Sequence, residues 1–201
     1  MPDTRIYLEV GTTWVFASAL DWPGWCRRGK TEEAALEALQ AYAGRYARVV
    51  GAGFVAGELA VVSRVPGTAT TDFGAPGVPA PEDDRPLTRA ELERITELLE
   101  RCWSAFDKAA GAASEQLRKG PRGGGRDKAA VVDHVSESER SYARNIGIKL
   151  QAGTPWSEQR AALLAGLRSG PPTAPWPAAF AVRRIAWHVL DHAWELEDKS
   201  L

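Results

Sequence analysis

From residue 5 the chain alternates. Ile6, Leu8 and Val10 fall on one face of an extended run, and Trp14, Phe16 and Leu20 resume the pattern after Gly11-Thr12. Period-two alternation across a short polar turn predicts a β-hairpin. Pro23-Gly24 breaks the second run, and Trp25 to Arg28 predicts a short third strand. The period then changes. Thr31 is placed to cap a helix, with Glu32 and Glu33 in its first turn. Leu36, Leu39, Ala43, Tyr46 and Val50 follow at spacings of three and four, an apolar stripe suited to cover a sheet. Gly51 and Gly53 end the helix, and Glu58 to Val65 returns as a strand. The order β-β-β-α-β predicts a small α+β domain at residues 1–65.

Residues 66–87 change character, with closely spaced prolines and acids and almost nothing to bury. This composition predicts a linker and a domain boundary. Beyond it every apolar run has helical period. Thr88 and Glu91 form a capping-box signature, followed by the stripe Leu92, Ile95, Leu99, Cys102/Trp103, Phe106 and Ala110. A glycine-rich break at 120–125 precedes a helix opened by Asp127. Thr154-Pro155 starts a third helix carrying Trp156, Leu163, Leu164 and Leu167, which stops at Ser169-Gly170-Pro171-Pro172. Ala178 to Asp198 forms the last. Four helices with mostly short connections predict an all-α four-helix bundle at residues 88–201.

Composition narrows the function classes. The 201 residues carry a net charge of −1, and the seven Lys/Arg of residues 1–65 balance seven Asp/Glu, so no basic stripe tracks phosphates. Neither a nucleic acid nor a membrane partner is expected. No signal-peptide pattern and no bilayer-length apolar run is present, and the two cysteines, Cys26 and Cys102, are too few for a disulfide framework. These features predict a cytoplasmic protein whose two thiols are buried or half-buried, with no cysteine nucleophile evident.

The chain holds three histidines, all within predicted helices. His188 and His192 are spaced i,i+4 and stack on one face one turn apart. His134 lies about 10 Å inside its own helix, and Val131, Ser138, Ser141 and Asn145 fall within about 60° of its line. On the last helix Arg184, His192 and Glu195 fall within about 40° of His188. Polar groups along two core-facing lines need one another, water or a metal ion. A lone buried histidine is usually a hydrogen-bonded core residue, but this set predicts a metal site of His134, His188 and His192. Glu195 is a candidate to orient an imidazole, or a solvated last-turn acid. Arg184 is a candidate to neutralise a substrate carboxylate, or a partner for Glu195. Asp191 lies off the line. The basic loop from Arg118 to Lys128 could cradle an anion, though a mobile loop is the simpler expectation.

Two resemblances sharpen these expectations. The stretch VVDHVSESER with AWHVLDHAWELED resembles the DinB-like superfamily of metalloenzymes, whose pattern is one histidine on the second helix and His-x-x-x-His on the fourth. The turn from Pro23-Gly24-Trp25 to Glu33-Ala34 resembles the HicB-like antitoxin domain. The HicB-like resemblance implies a toxin-occluding fold often followed by a DNA-binding tail; no such tail is evident, and a structural or dimerising role, with a possible homodimer, is expected. The DinB-like resemblance implies a divalent metal, zinc or nickel foremost, and transfer of a low-molecular-weight thiol such as mycothiol, or hydrolysis, on a small-molecule substrate. Glu195 and Arg184 are the candidate catalytic residues. The alternative is a non-catalytic binding or regulatory protein that uses the HicB-like domain for contacts and the bundle as scaffold.

Overall fold

The computed structural model describes residues 3–120, 125–169 and 174–201. The chain begins as a four-stranded mixed sheet and continues mostly as helix, an α+β protein. Strands β1 (Thr4–Val10) and β2 (Val15–Ala19) form the expected hairpin, with Leu8 opposite Ala17 and Glu9 opposite Phe16. Strand β3 (Cys26–Gly29) extends it antiparallel beside β2, and β4 (Leu59–Pro66) pairs parallel to β1 on the other side. The order is β3-β2-β1-β4. Between β3 and β4 the predicted single helix is interrupted at Tyr42. Its N–H is shared between the Ala38 and Leu39 carbonyls, a tightening that divides α1 (Glu32–Ala41) from α2 (Ala43–Val50). Thr31 caps α1 as expected, accepting from the Ala34 amide.

Alternation places successive side chains of a strand on opposite faces. Ile6, Leu8, Val15, Ala17 and Ala19 join Ala35 and Leu39 of α1 in the main core. Tyr7, Glu9, Phe16 and Ser18 are buried as well, on the other face. That face is covered by the segment expected to be a bare linker. Residues 66–87 carry a short helix α3 (Ala69–Phe73) and a 3-10 turn (Pro81–Asp84), and Thr71, Ala80 and Asp83 are buried. Glu9 pins them: its carboxylate accepts from the Thr71 hydroxyl and from the amides of Gly77 (2.9 Å) and Val78 (3.0 Å). The expectation of almost nothing to bury is therefore corrected. Composition registers apolar side chains, whereas this strap is held by backbone amides and short polar groups.

Helices α4 (Arg89–Ala112), α5 (Lys128–Asn145), α6 (Trp156–Ser169) and α7 (Ala178–Lys199) follow. The Thr88–Glu91 capping box is formed, and α4 buries Ile95, Leu99, Cys102, Trp103 and Phe106 of its predicted stripe. At α6 the Thr154 hydroxyl donates to the Gln151 carbonyl at 2.8 Å, holding the preceding turn. The predicted stop at 169–172 lies mostly outside the described residues. α4 packs on α7 and α6, and α5 on the same two. Fifteen of the 22 residues of α7 are buried, so it is enclosed on nearly every side rather than amphipathic.

Two faces of α7 explain this enclosure. One meets α4 and α5. The other runs along the sheet half through Trp187 against Phe16, Leu190 against Gly24, Asp191 paired with Arg27 at 2.9 Å, and Trp194 against Tyr42. Gly24 has φ 93°, and a Cβ there would stand 2.8 Å from Leu190 Cδ1, so this approach needs glycine. Arg45 of α2 closes the far end on Glu197 at 2.5 Å. One apolar cluster thus contains Ile6, Trp25 and Tyr46 together with Leu99, Val135 and Val189. Among the described residues no helix is long and apolar enough to cross a membrane.

Candidate metal centre

The three histidines converge. Helix α5 supplies His134, and α7 supplies His188 and His192 one turn apart. Their candidate ligand nitrogens all lie within 4.8 Å of one another. Nε2 of His188 stands 3.2 Å from Nε2 of His134. Two nitrogens each about 2.1 Å from one tetrahedral ion would be roughly 3.4 Å apart, so this pair is already at ligand spacing. The ring centroids of His188 and His192 are 4.6 Å apart, and those of His134 and His192 4.9 Å. His134 is half-buried and opens the cluster toward solvent, while His188 and His192 are buried.

Each imidazole has a different surrounding. His192 donates through Nδ1 to Glu195 Oε2 at 2.7 Å, which fixes its tautomer and turns Nε2 free. Glu195 therefore stands hydrogen-bonded behind His192 rather than free in solvent. Lys199 holds the other Glu195 oxygen at 2.6 Å. The hydrogen bond from His192 and that from Lys199 together outweigh burial and hold the Glu195 carboxyl at about 2. Burial lowers the pKa of His134, helped by Arg126 and His192. Burial drives His188 well below the ordinary imidazole value, with His192, Arg184 and His134 adding to it. Both rings are uncharged at neutral pH, the form that carries a lone pair for a cation. His188 Nδ1 is buried with no hydrogen-bond partner among the described residues.

Arg184 lies one turn before His188, and it does not pair with Glu195. Its guanidinium sits 4.9 Å from the Tyr142 ring centre and 4.7 Å from that of Trp187. Asp191 faces away from the histidines toward Arg27. Ser141, expected on the His134 line, is exposed, and Val131 is buried. Cys26 and Cys102 are buried as expected, and burial pushes the Cys26 thiol up to about 12, so neither is a ready nucleophile. In the basic loop, Lys119 pairs with Asp127 at 2.5 Å, and residues 121–124 lie outside the described residues. Two aromatic rings flank His188, Tyr142 with its centre 5.6 Å away and Trp187 at 6.1 Å, and the sequence pattern singles out neither. Tyr142 lies eight residues past His134 on the same helix, and that spacing was the signal available for it. Comparisons with family models, with curated proteins and with solved structures return no match.

Proposed function

We propose that the chain is a metal-dependent enzyme of DinB-like type, with α4–α7 as its four-helix bundle and residues 1–65 as a HicB-like domain that buttresses α7. The observation that carries this reading is the convergence of His134, His188 and His192 with Glu195 behind His192. Neutral nitrogen donors in this number suit a divalent ion such as zinc or nickel and leave room for a further ligand. An ion held there would acidify a bound water or low-molecular-weight thiol, mycothiol being one such thiol, and polarise an electrophile for transfer or hydrolysis. The chain's own residues do the rest. Glu195 orients His192, Lys199 restrains Glu195, and burial keeps His188 unprotonated. Tyr142 and Trp187 limit water around His188, and Arg184 supplies positive charge beside it.

The test uses untagged protein reconstituted with zinc or nickel. Wild type should retain a stoichiometric amount of metal after desalting, and His188→Ala should lose it while keeping its helical circular dichroism. Removing the ring leaves a cavity of only a few kcal/mol, which a buried helix tolerates. Turnover of a panel pairing thiols with electrophiles should follow the metal. Wild type that holds no metal, with a melting temperature unmoved by zinc or nickel, would leave the histidines as a structural cluster and the chain as a binding scaffold.

A further inference from the structure

Two polar atoms beside the histidine cluster lack partners, and both lie against the same aromatic rings. Arg184 is 8% exposed and His188 is 6% exposed. Arg184 Nη1 and His188 Nδ1 are both buried and without a hydrogen-bond partner among the described residues. They sit one turn apart on α7, and Tyr142 lies against both side chains. Trp187 also lies against both. His188 Nε2 faces His134 Nε2, and with Nε2 held by the proposed metal ion Nδ1 carries the N–H and is a donor. Arg184 is also a donor only. Both atoms therefore want an acceptor, and Arg184 wants a negative one.

Among the described residues no carboxylate hydrogen-bonds to either atom, and Glu9 acts on Arg184 only at a distance. Among the described residues Arg184 forms no ion pair, although a buried guanidinium without a counter-charge is costly. The neighbouring Arg183 shows the ordinary solution, a buried pair with Asp83. Two buried acids lie in this region, and both are committed elsewhere. Glu9 is taken by Thr71, Gly77 and Val78. Glu139 accepts from the Trp103 indole at 2.6 Å, from Trp156 and from Arg160. The Tyr142 hydroxyl, which Ser138 and Arg184 both approach, offers an oxygen but no charge. His192 has Glu195 as the acceptor for its outward N–H; His188 has none.

We infer that Arg184 Nη1 and His188 Nδ1 form a subsite for the carboxylate of a small substrate, set beside the metal ligands and walled by Tyr142 and Trp187. The subsite names the substrate class of the proposed enzyme as a small carboxylic acid, one whose body fits between aromatic rings. It rests on the proposed metal site for the role of His188, and on the missing counter-charge for Arg184. An oxygen bridging the two donors satisfies both and places the rest of the molecule next to the cluster opening at His134.

The probes are acetate and benzoate, titrated calorimetrically into the metal-free and the zinc-loaded protein, with chloride and inorganic phosphate as the other arms. Both carboxylates should bind saturably in both forms. Arg184→Gln should weaken them roughly 10–100-fold, the worth of charged hydrogen bonds to a carboxylate, with zinc content unchanged. The nitrogen-15 shift of His188 Nδ1 in wild type should move on adding acetate. If Arg184→Gln does not fold, Arg184→Lys decides: it keeps the charge, loses the planar fork, and should still bind more weakly than wild type. Absence of saturable carboxylate binding to wild type overturns the inference, as does equal binding by wild type and the folded variant. Binding of chloride or phosphate that carboxylates cannot displace also overturns it, leaving a structural anion site. Carboxylate binding in a protein that takes up no zinc would sink the metal reading and leave the Arg184 half of the subsite standing.

Discussion

His192 and His188 occupy one line of α7 but depend on different supports. His192 is held by Glu195 at 2.7 Å, and Glu195 in turn by Lys199. Partners behind a ligating imidazole fix its tautomer and raise its basicity, and losing one costs about 10–100-fold in metal affinity. Glu195→Gln should therefore release zinc to a competing chelator about that much more readily than wild type, with the fold intact. Equal retention by the two proteins would show that Glu195 serves Lys199 alone. The three-histidine cluster was legible because i,i+4 spacing and depth within a helix are fixed by helix geometry. The Arg184–Glu195 pairing considered from the same wheel was not formed, for a reason the wheel omits. Eleven residues separate them, about 16 Å along the axis, beyond the reach of both side chains. Angle was read and rise was not.

Among the elements, α4 shows most directly how local sequence starts a helix. Thr88 Oγ1 accepts from the Glu91 amide at 3.2 Å, and Glu91 reaches back to the Thr88 amide at 2.8 Å. Thr88→Ala should cost about 1 kcal/mol, roughly 2–4 °C in Tm for a chain of this size, measured by thermal melting at neutral pH. Glu91 adds a pH signature. Its hydrogen bond with Arg85, and then those with Thr88, hold its carboxyl at about 2, below the ordinary 4.5. A depressed acid contributes stability that is complete above the unfolded value and is lost as pH falls through the folded one. Wild type should lose this contribution between pH about 4.5 and about 2, and Glu91→Gln should show a flatter acid limb in that window. Identical limbs would mean the contact is solvated away. Capping signals of this kind are readable because both partners lie within four residues. The break at Tyr42 was not readable, since nothing in the 3-and-4 stripe marks a shared N–H.

At the scale of the molecule, sequence pattern described each half and missed how they join. The second face of α7, through Trp187, Leu190 and Trp194, reads as ordinary bundle core until the sheet is seen against it. The strap at 66–87 reads as linker because its anchors are the amides that meet Glu9. The structure accordingly predicts that the chain unfolds as one unit. A fragment of residues 88–201 would uncover Trp187, Leu190 and Trp194 together. Uncovering a large apolar side chain forfeits about 1.5–3 kcal/mol, so three forfeit on the order of 5–9 kcal/mol. Whole domains hold only about 5–15 kcal/mol, so the loss is comparable with everything the fragment has. Arg27 and Arg45 would also leave Asp191 and Glu197 unpaired, a smaller loss because those pairs are partly solvated. The full chain should melt in a single transition that far-UV and near-UV circular dichroism report alike. The fragment should keep helical signal but lose fixed near-UV bands, and aggregate at concentrations where the full chain does not. A fragment with a sharp melt and native-like near-UV bands would show the four helices self-sufficient. The sheet half would then be an attached module, and α7 would owe its order to α4 and α5 alone.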